Sequence, residues 1–363
     1  MKVYIATYHD AINFGAQLQS YALQQILKDI GYDSELIAIK KGAPIKDKRI
    51  KSRIKRILNS IYNFRYKSNV KRAVQLFENF AATHHKTTKV YDSFEQLKNN
   101  PPKGDVIYLS GSDQVFNPIA MKPEFFLQFG DKTIKRISYA ASIAVNTVPK
   151  DKENVFKRYI SDFNEISIRE KDSVSLMKKY TDKRINVNID PCLLIDKSEW
   201  TKVSNEKIID RLKGKPYVLV YTIYRADWLN KQLKQIKKQT GWEIVQVSNG
   251  GLTRVYNDVN IIDAGPSEFL GLVKNAQMVV SSSYHGCVFA QVYRKPFYAV
   301  LNPDAPGRIK SMLELFGLEN RILNESDNII LDTDYAYMEK KLKDEQKKSL
   351  HYLKTAIEGK NEV

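Results

Sequence analysis

The chain has 363 residues, of which 43% are hydrophobic and 27% charged, and its formal net charge is +17 at pH 7. That length exceeds one ordinary compact domain and suits two, each able to bury its own core, and no run of about 18 uncharged apolar residues is present to cross a bilayer as a helix. The basic excess favours an anionic partner (phosphorylated substrate, anionic lipid or nucleic acid), although a solvated lysine-rich surface accounts for the bulk charge equally well.

The opening MKVYIATYHD reads as a buried first strand and lacks the apolar block and small-residue cleavage site of a signal peptide. Cys192 and Cys287 lie far apart without partners at metal-ligand spacing, so neither a disulfide framework nor a metal site is expected, and a cytoplasmic location fits. Residues 2–7 alternate as a strand, residues 8–15 form a loop, and Leu18, Tyr21, Ala22, Ile26 and Leu27 fall on one face of a helix over 16–30, closed by Gly31. A strand at 34–39 completes a β-loop-α-β opening, the start of a parallel sheet covered by helices. Residues 40–72 then break the pattern: thirteen lysines and arginines stand against the single acid Asp47, with Ile50, Ile54, Ile57, Leu58 and Ile61 at helical spacing among them. A basic amphipathic helical insertion is implied, either lying peripherally on the anionic inner face of a membrane or solvated with its isoleucine face on the domain.

The sheet resumes with strands at 105–110, 135–142, 165–169 and 187–190, the first delivering the loop Gly111-Ser112-Asp113-Gln114 and the last stopped by Pro191. Residues 196–215, polar and lysine-rich, read as a connector. A second α/β series follows: strands at 217–221, 243–248, 260–263, 278–282 and 296–300, with helices at 226–240, 266–275 and after His285. The tail after Asp332 is helical and charged. The expected fold is α/β, with two Rossmann-like domains facing across a cleft: an N-terminal domain over 1–195 with the insertion 40–72, a C-terminal domain over 196–330, and a helical tail over 331–363. Ligands in such sheets bind outside the carboxyl ends of the strands.

The sharpest local signal is SSSYHGCVFAQVYRKP at 281–296, where an apolar strand ends, Ser282 to His285 occupy a turn, and a helix begins at Gly286. A helix N-terminus there offers free amides and a positive dipole end to an anion, and a histidine can trade a proton with it near neutral pH. At these residues the chain resembles the polysaccharide pyruvyltransferase family, whose hallmark is Ser-(Phe/Tyr)-His-Gly after an apolar strand. Four more segments agree in order: Asn13-Phe14-Gly15-Ala16 with Leu18-Gln19 and Tyr21-Ala22-Leu23; Gly111 to Asn117; Ser167-Ile168-Arg169-Glu170; and Asp190-Pro191-Cys192-Leu193-Leu194. Together they span about residues 1–320, with Cys192 and Cys287 where threonine is more usual in the family.

The resemblance implies a GT-B-like fold and transfer of a pyruvyl group from phosphoenolpyruvate to a sugar of a cell-surface polysaccharide or its lipid-linked precursor, as a ketal bridging two hydroxyls, with phosphate released and no cofactor. It implies that His285 and Arg169 are the essential histidine and arginine. An arginine suits the phosphate or carboxylate of the donor because its planar fork binds either in two-pronged fashion; Arg308 is a second candidate clamp, and Ser283 with the amides near Gly286 would hold phosphate. Asp113 is the candidate base toward the acceptor, with a turn-capping role open beside it, and Asn13 and Gly15 are assigned to the acceptor side. Two other readings stay open. One is a glycosyltransferase of the same architecture using a nucleotide-sugar donor, for which Glu268 is the one mild acidic candidate. The other, nucleic-acid binding, is disfavoured because no recognition motif occurs and the bases concentrate in one insertion.

Overall fold

The computed structural model describes residues 1–40, 66–224, 226–248, 255–303 and 307–359. Most of the basic insertion, residues 41–65, lies outside them, and with it the expected amphipathic helix.

Strands β1 (Lys2–Ala6), β2 (Asp33–Leu36), β3 (Val106–Ser110) and β4 (Arg136–Ser138) form a parallel sheet in the order β2-β1-β3-β4. Isolated parallel bridges, Ile137 to Glu165 and Ala141 to Ile168, carry it on to β5 (Ile166–Ile168), which pairs with β6 (Ile185–Val187). The second sheet joins β7 (Tyr217–Tyr221), β8 (Glu243–Val247), β9 (Val259–Ile261), β10 (Met278–Ser281) and β11 (Phe297–Ala299) in the order β11-β10-β7-β8-β9, again all parallel. In both sheets the strand order reverses direction beside the first strand of the half, between β1 and β3 and between β7 and β10. A crevice opens at the carboxyl ends of strands at such reversals. These are two Rossmann-like domains, and both crevices face the space between them.

The strands follow from their sequences. Tyr217–Tyr221 is buried throughout, as a continuous apolar run in a doubly covered parallel sheet should be. β5 and β6 are three residues each: β5 stops before Arg169, which lines the cleft, and β6 lies at Ile185–Val187, earlier than the expected 187–190, so that Asp190 follows the strand and is fully buried. The helix Lys67–His84 buries Ala73, Phe77 and Phe80, so the end of the basic segment is the start of a packed helix. Its Arg72 reaches Asp263 of the second half at 3.6 Å, beside the two-pronged bond from Arg211 to the same carboxylate at 2.7 and 3.0 Å.

The connector expected at 196–215 is structured. Helix Lys197–Val203 buries Trp200 completely, and its indole donates to the Cys192 carbonyl at 3.2 Å while its ring meets Phe289 edge-on at 4.9 Å. Lysines mark only the outer face of this segment, and one aromatic residue fixes the inner one. The C-terminal helix Ala336–Glu358 runs back onto the first half, where the Tyr352 hydroxyl donates to the Ser138 carbonyl at 2.9 Å and the Ser349 hydroxyl accepts from Asn188 Nδ2 and the Ile189 amide. One core cluster holds Val3, Leu18 and Leu109 of the first half, Leu219, Phe269 and Phe289 of the second, and Met338 and Leu353 of this helix.

Candidate functional site

The N-terminus of the first helix, Phe14–Asp29, meets the N-terminus of the helix Tyr284–Val292 at the seam between the halves. Phe14 wedges into the second half, stacked on Phe269 at 4.6 Å and edge-on to Tyr221 at 5.4 Å. Gly15 follows it, and a Cβ there would fall 2.0 Å from Nδ1 of His285, so the glycine is what lets the imidazole lie flush against this helix. Asn13 caps the helix, its Oδ1 accepting from the Ala16 amide at 3.0 Å.

Asp190, fully buried after β6, is the hub beneath this seam. Its Oδ2 accepts from Arg169 Nη1 at 2.8 Å and from the Ser112 hydroxyl at 3.2 Å, and lies 3.5 Å from Nε2 of His285; its Oδ1 accepts from the Cys192 amide at 2.9 Å. Burial alone would raise this carboxyl, but His285, Arg169 and the Cys192 amide together hold it well below the carboxylate range. Arg169 is 8% exposed, donates through Nε to Glu170 Oε1 at 3.1 Å, and lies over the Tyr284 ring at 3.9 Å. Burial works against its charge and is outweighed by Tyr284, Glu170 and Asp190. Both of its ion pairs, with Glu170 and Asp190, are buried, and its Nη2 has no partner.

Arg308 comes to the same place from the helix Gly307–Phe316. The Gln114 side-chain oxygen accepts from its Nη1 at 2.9 Å and Nη2 at 3.2 Å when the amide is oriented oxygen-inward, while Nε is buried without a partner. Burial and then the like charge of Arg169 push this guanidinium down. Two neighbouring arginines, each with an open buried donor, form an anion site by charge and by hydrogen-bond demand. Both line a cleft of about 850 Å³ with Tyr284, Lys171, Lys310 and Ser311. Asp113 holds φ 70° and ψ −170°, a region almost reserved for glycine, and its side chain does not cap the turn that follows. Such strain clusters at functional sites.

His285 differs from expectation in its setting. The ring is 5% exposed, and it lies behind Tyr284 and Arg169, which line the cleft, and is not itself in the lining. One step along the helix turns the side chain by about 100°, so Tyr284 faces the cleft and His285 faces Gly15 and Asp190. Nε2 has no hydrogen-bond partner. Gly286 serves packing: a Cβ would fall 2.1 Å from the Ser281 hydroxyl, so the glycine lets the helix sit down on β10. Ser283 is the N-cap residue but its side chain makes no capping bond, leaving the helix start without a side-chain cap.

Asp190, Glu170, Gln114 and Tyr284 belong to the site and were not singled out from the sequence as site residues, although each lies inside a quoted motif. Asp190 read as a strand end because nothing in the chain order shows β6 lying beside β5. Asp190, Cys192 and His285 offer ligand atoms within 4.8 Å of one another. The trio is a poor host for a cation, since the Arg169 guanidinium already occupies Asp190 and burial holds the Cys192 thiol well above its usual range. Glu268 is committed within the second half, accepting from the Gly265 amide at 3.1 Å and Asn205 Nδ2 at 2.8 Å. His85, held down to about 4 mainly by burial, is a neutral structural residue bonded to Ser20 and the Gln17 carbonyl. Among the described residues no helix is long and apolar enough to cross a membrane.

A family model for polysaccharide pyruvyl transferases matches residues 13–304, which take in the arrangement above except Arg308, Lys310 and Ser311. No protein of curated function matches the chain. Among solved structures, the UDP-GlcNAc 2-epimerase of Neisseria meningitidis bound to UDP-GlcNAc is similar over 98% of this chain and 100% of that one, at 13% identity and a TM-score of 0.51. MnaA of S. aureus with UDP is similar over 97% and 91%, at 11% identity and a TM-score of 0.50. At such identity the likeness establishes the fold, GT-B, and nothing of the chemistry.

Proposed function

The chain belongs to the polysaccharide pyruvyl transferase family, and from that premise we propose that it moves a pyruvyl group from phosphoenolpyruvate to two hydroxyls of a glycan or lipid-linked saccharide, closing a ketal and releasing phosphate in the cytoplasm. The observation that carries this reading is a pair of guanidiniums in one cleft, Arg169 buried and Arg308 half-buried, each with a buried donor left open, Nη2 and Nε. A small dianion with a phosphate at one end and a carboxylate at the other satisfies both. No cofactor is needed, because the donor carries its own leaving group.

The geometry supports a sequence of roles. Arg169 shares Asp190 with His285. A dianion that draws the guanidinium toward the cleft leaves Asp190 to hold the imidazole. His285 is assigned the proton transfer to the methylene carbon or to the departing phosphate, which requires Tyr284 and Arg169, standing between the ring and the cleft, to move aside. Asp113, strained in the loop after β3, is assigned to the acceptor side with Asn13. The nucleotide-sugar reading loses support, since Glu268 is already engaged.

The test is phosphate release from phosphoenolpyruvate in the presence of saccharide acceptors, with the pyruvate ketal identified by mass. His285→Gln should keep the fold by circular dichroism and lose at least about 100-fold in turnover, the usual share of a general acid–base group. Wild-type turnover in that variant, or release of nucleotide from a sugar nucleotide in place of phosphate from phosphoenolpyruvate, overturns the assignment.

A further inference from the structure

Glu170 and Arg308 also face a second, smaller pocket, and the reading of that pocket rests on the proposed function. It measures about 230 Å³ and is lined by Ala144, Val145, Asn146, Asp172, Ser173 and Gly307 together with those two residues. Arg308 therefore borders both this pocket and the larger cleft and forms part of the wall between them. Glu170 is 3% exposed; its Oε1 is fixed by Arg169 Nε at 3.1 Å, and its Oε2 is buried with no partner. An unpaired buried carboxylate oxygen is costly unless a ligand supplies the missing donor. Arg308, whose open Nε is assigned to the donor, closes one side of the pocket with its side chain.

The pocket asks for a small ligand that donates a hydrogen bond to Glu170 Oε2. Glu170 and Asp172 repel a second anion, Asn146 and Ser173 offer further hydrogen bonds, and Ala144 and Val145 give one apolar wall. Ala144 turns the chain there at φ 61°. A neutral pyranose, with hydroxyls on its edge and C–H groups on its face, meets each of these terms. We propose that this pocket holds the sugar ring of the acceptor and that Glu170 is the base for its attacking hydroxyl. As that oxygen bonds to C2 of the donor, its proton passes to Glu170 Oε2. The C2–O bond to phosphate breaks with its electron pair on phosphate, which takes this proton and leaves as hydrogen phosphate. The second hydroxyl closes the ketal, and its proton replaces the one that the methylene carbon gained.

The probes are the methyl pyranosides of glucose, galactose and mannose, read in two ways. Saturation-transfer NMR on the enzyme loaded with phosphoenolpyruvate should show at least one of them bound, and Ser173→Trp, which fills the pocket mouth, should abolish that signal while calorimetric binding of phosphoenolpyruvate is retained. Glu170→Gln should keep both bindings, lose about 100-fold or more in turnover, and lose the acidic limb of the pH–rate profile, with Glu170→Asp recovering part of it. Glycoside binding undisturbed by Ser173→Trp, no glycoside bound at all, or an acidic limb intact in Glu170→Gln overturns the subsite. Glycoside bound in this pocket by a wild type that releases no phosphate overturns the transfer reaction and leaves the sugar site standing.

Discussion

The contact between Gly15 and His285 joins two segments 270 positions apart by one missing methyl group. A Cβ on residue 15 would overlap the imidazole at 2.0 Å from Nδ1, and since the ring is packed on its other side by Asp190 and Tyr284, it has nowhere to go without breaking the hub. Gly15→Ala should cost about 1–3 kcal/mol, the usual penalty of overpacking, and lower kcat/KM by about 100-fold as the histidine leaves its place. Adding His285→Ala removes the two shortest overlaps, with Nδ1 at 2.0 Å and Cγ at 2.3 Å, and leaves its own Cβ at 2.8 Å, so thermal stability should return in part while activity stays lost; thermal unfolding and steady-state rates of the two variants check it. Stability that fails to recover in the double variant would mean that Gly15 is constrained by something other than the ring. Of the site, His285, Arg169, Arg308, Asp113 and Gly15 were legible as residue types at strand ends and helix starts. The hub Asp190 and the base Glu170 were not, because what distinguishes them is a neighbour in space and an unfilled lone pair, neither of which has a signature along the chain.

At the scale of elements, the long apolar strands were legible because burial on both faces writes itself as a continuous run. Tyr217–Tyr221 and the helix Pro266–Asn275 are found at the limits their sequences imply. The helix Lys67–His84 was hidden because its basic first turn merges with the insertion before it, and the buried stripe of Ala73, Phe77 and Phe80 begins only afterwards. The segment at 196–215 was misread for the converse reason: a polar composition outweighed one Trp200, yet a single large buried ring is enough to dock a helix. Asn13 tests whether an element end and a binding role can be separated. Its side chain caps the first helix, so Asn13→Ala should lose about 1 kcal/mol of stability. Asn13→Ser can still cap and should hold the stability while raising the acceptor KM and leaving that for phosphoenolpyruvate unchanged. Unaltered acceptor KM in the serine variant would reduce Asn13 to a cap.

Over the whole molecule, two facing Rossmann-like sheets suggest two bodies on a hinge, but the packing describes one. Beside a cluster of its own in each half, core residues of both halves meet in one larger apolar cluster, and Phe14 of the first half stacks within it on Phe269 of the second. Asp263 of the second half is held by Arg72 of the first as well as by Arg211. The C-terminal helix closes the circuit by burying Met338, Leu342, Leu353 and Ile357 and returning Tyr352 to the first sheet. Halves joined mainly by a polar seam open independently and melt separately, whereas halves that share a large apolar core unfold together. The cleft must then admit its ligands by side-chain movement at Tyr284 and Arg169 more than by separation of the lobes, which agrees with a histidine sealed behind those two residues. Calorimetry should accordingly show one transition with a calorimetric enthalpy close to the van't Hoff value, and phosphoenolpyruvate should shift that transition upward as a unit, by an increment set by its concentration relative to Kd. Two resolved transitions, or a ligand that raises only one of them, would return the molecule to a pair of independent domains and leave the burial of His285 without this explanation.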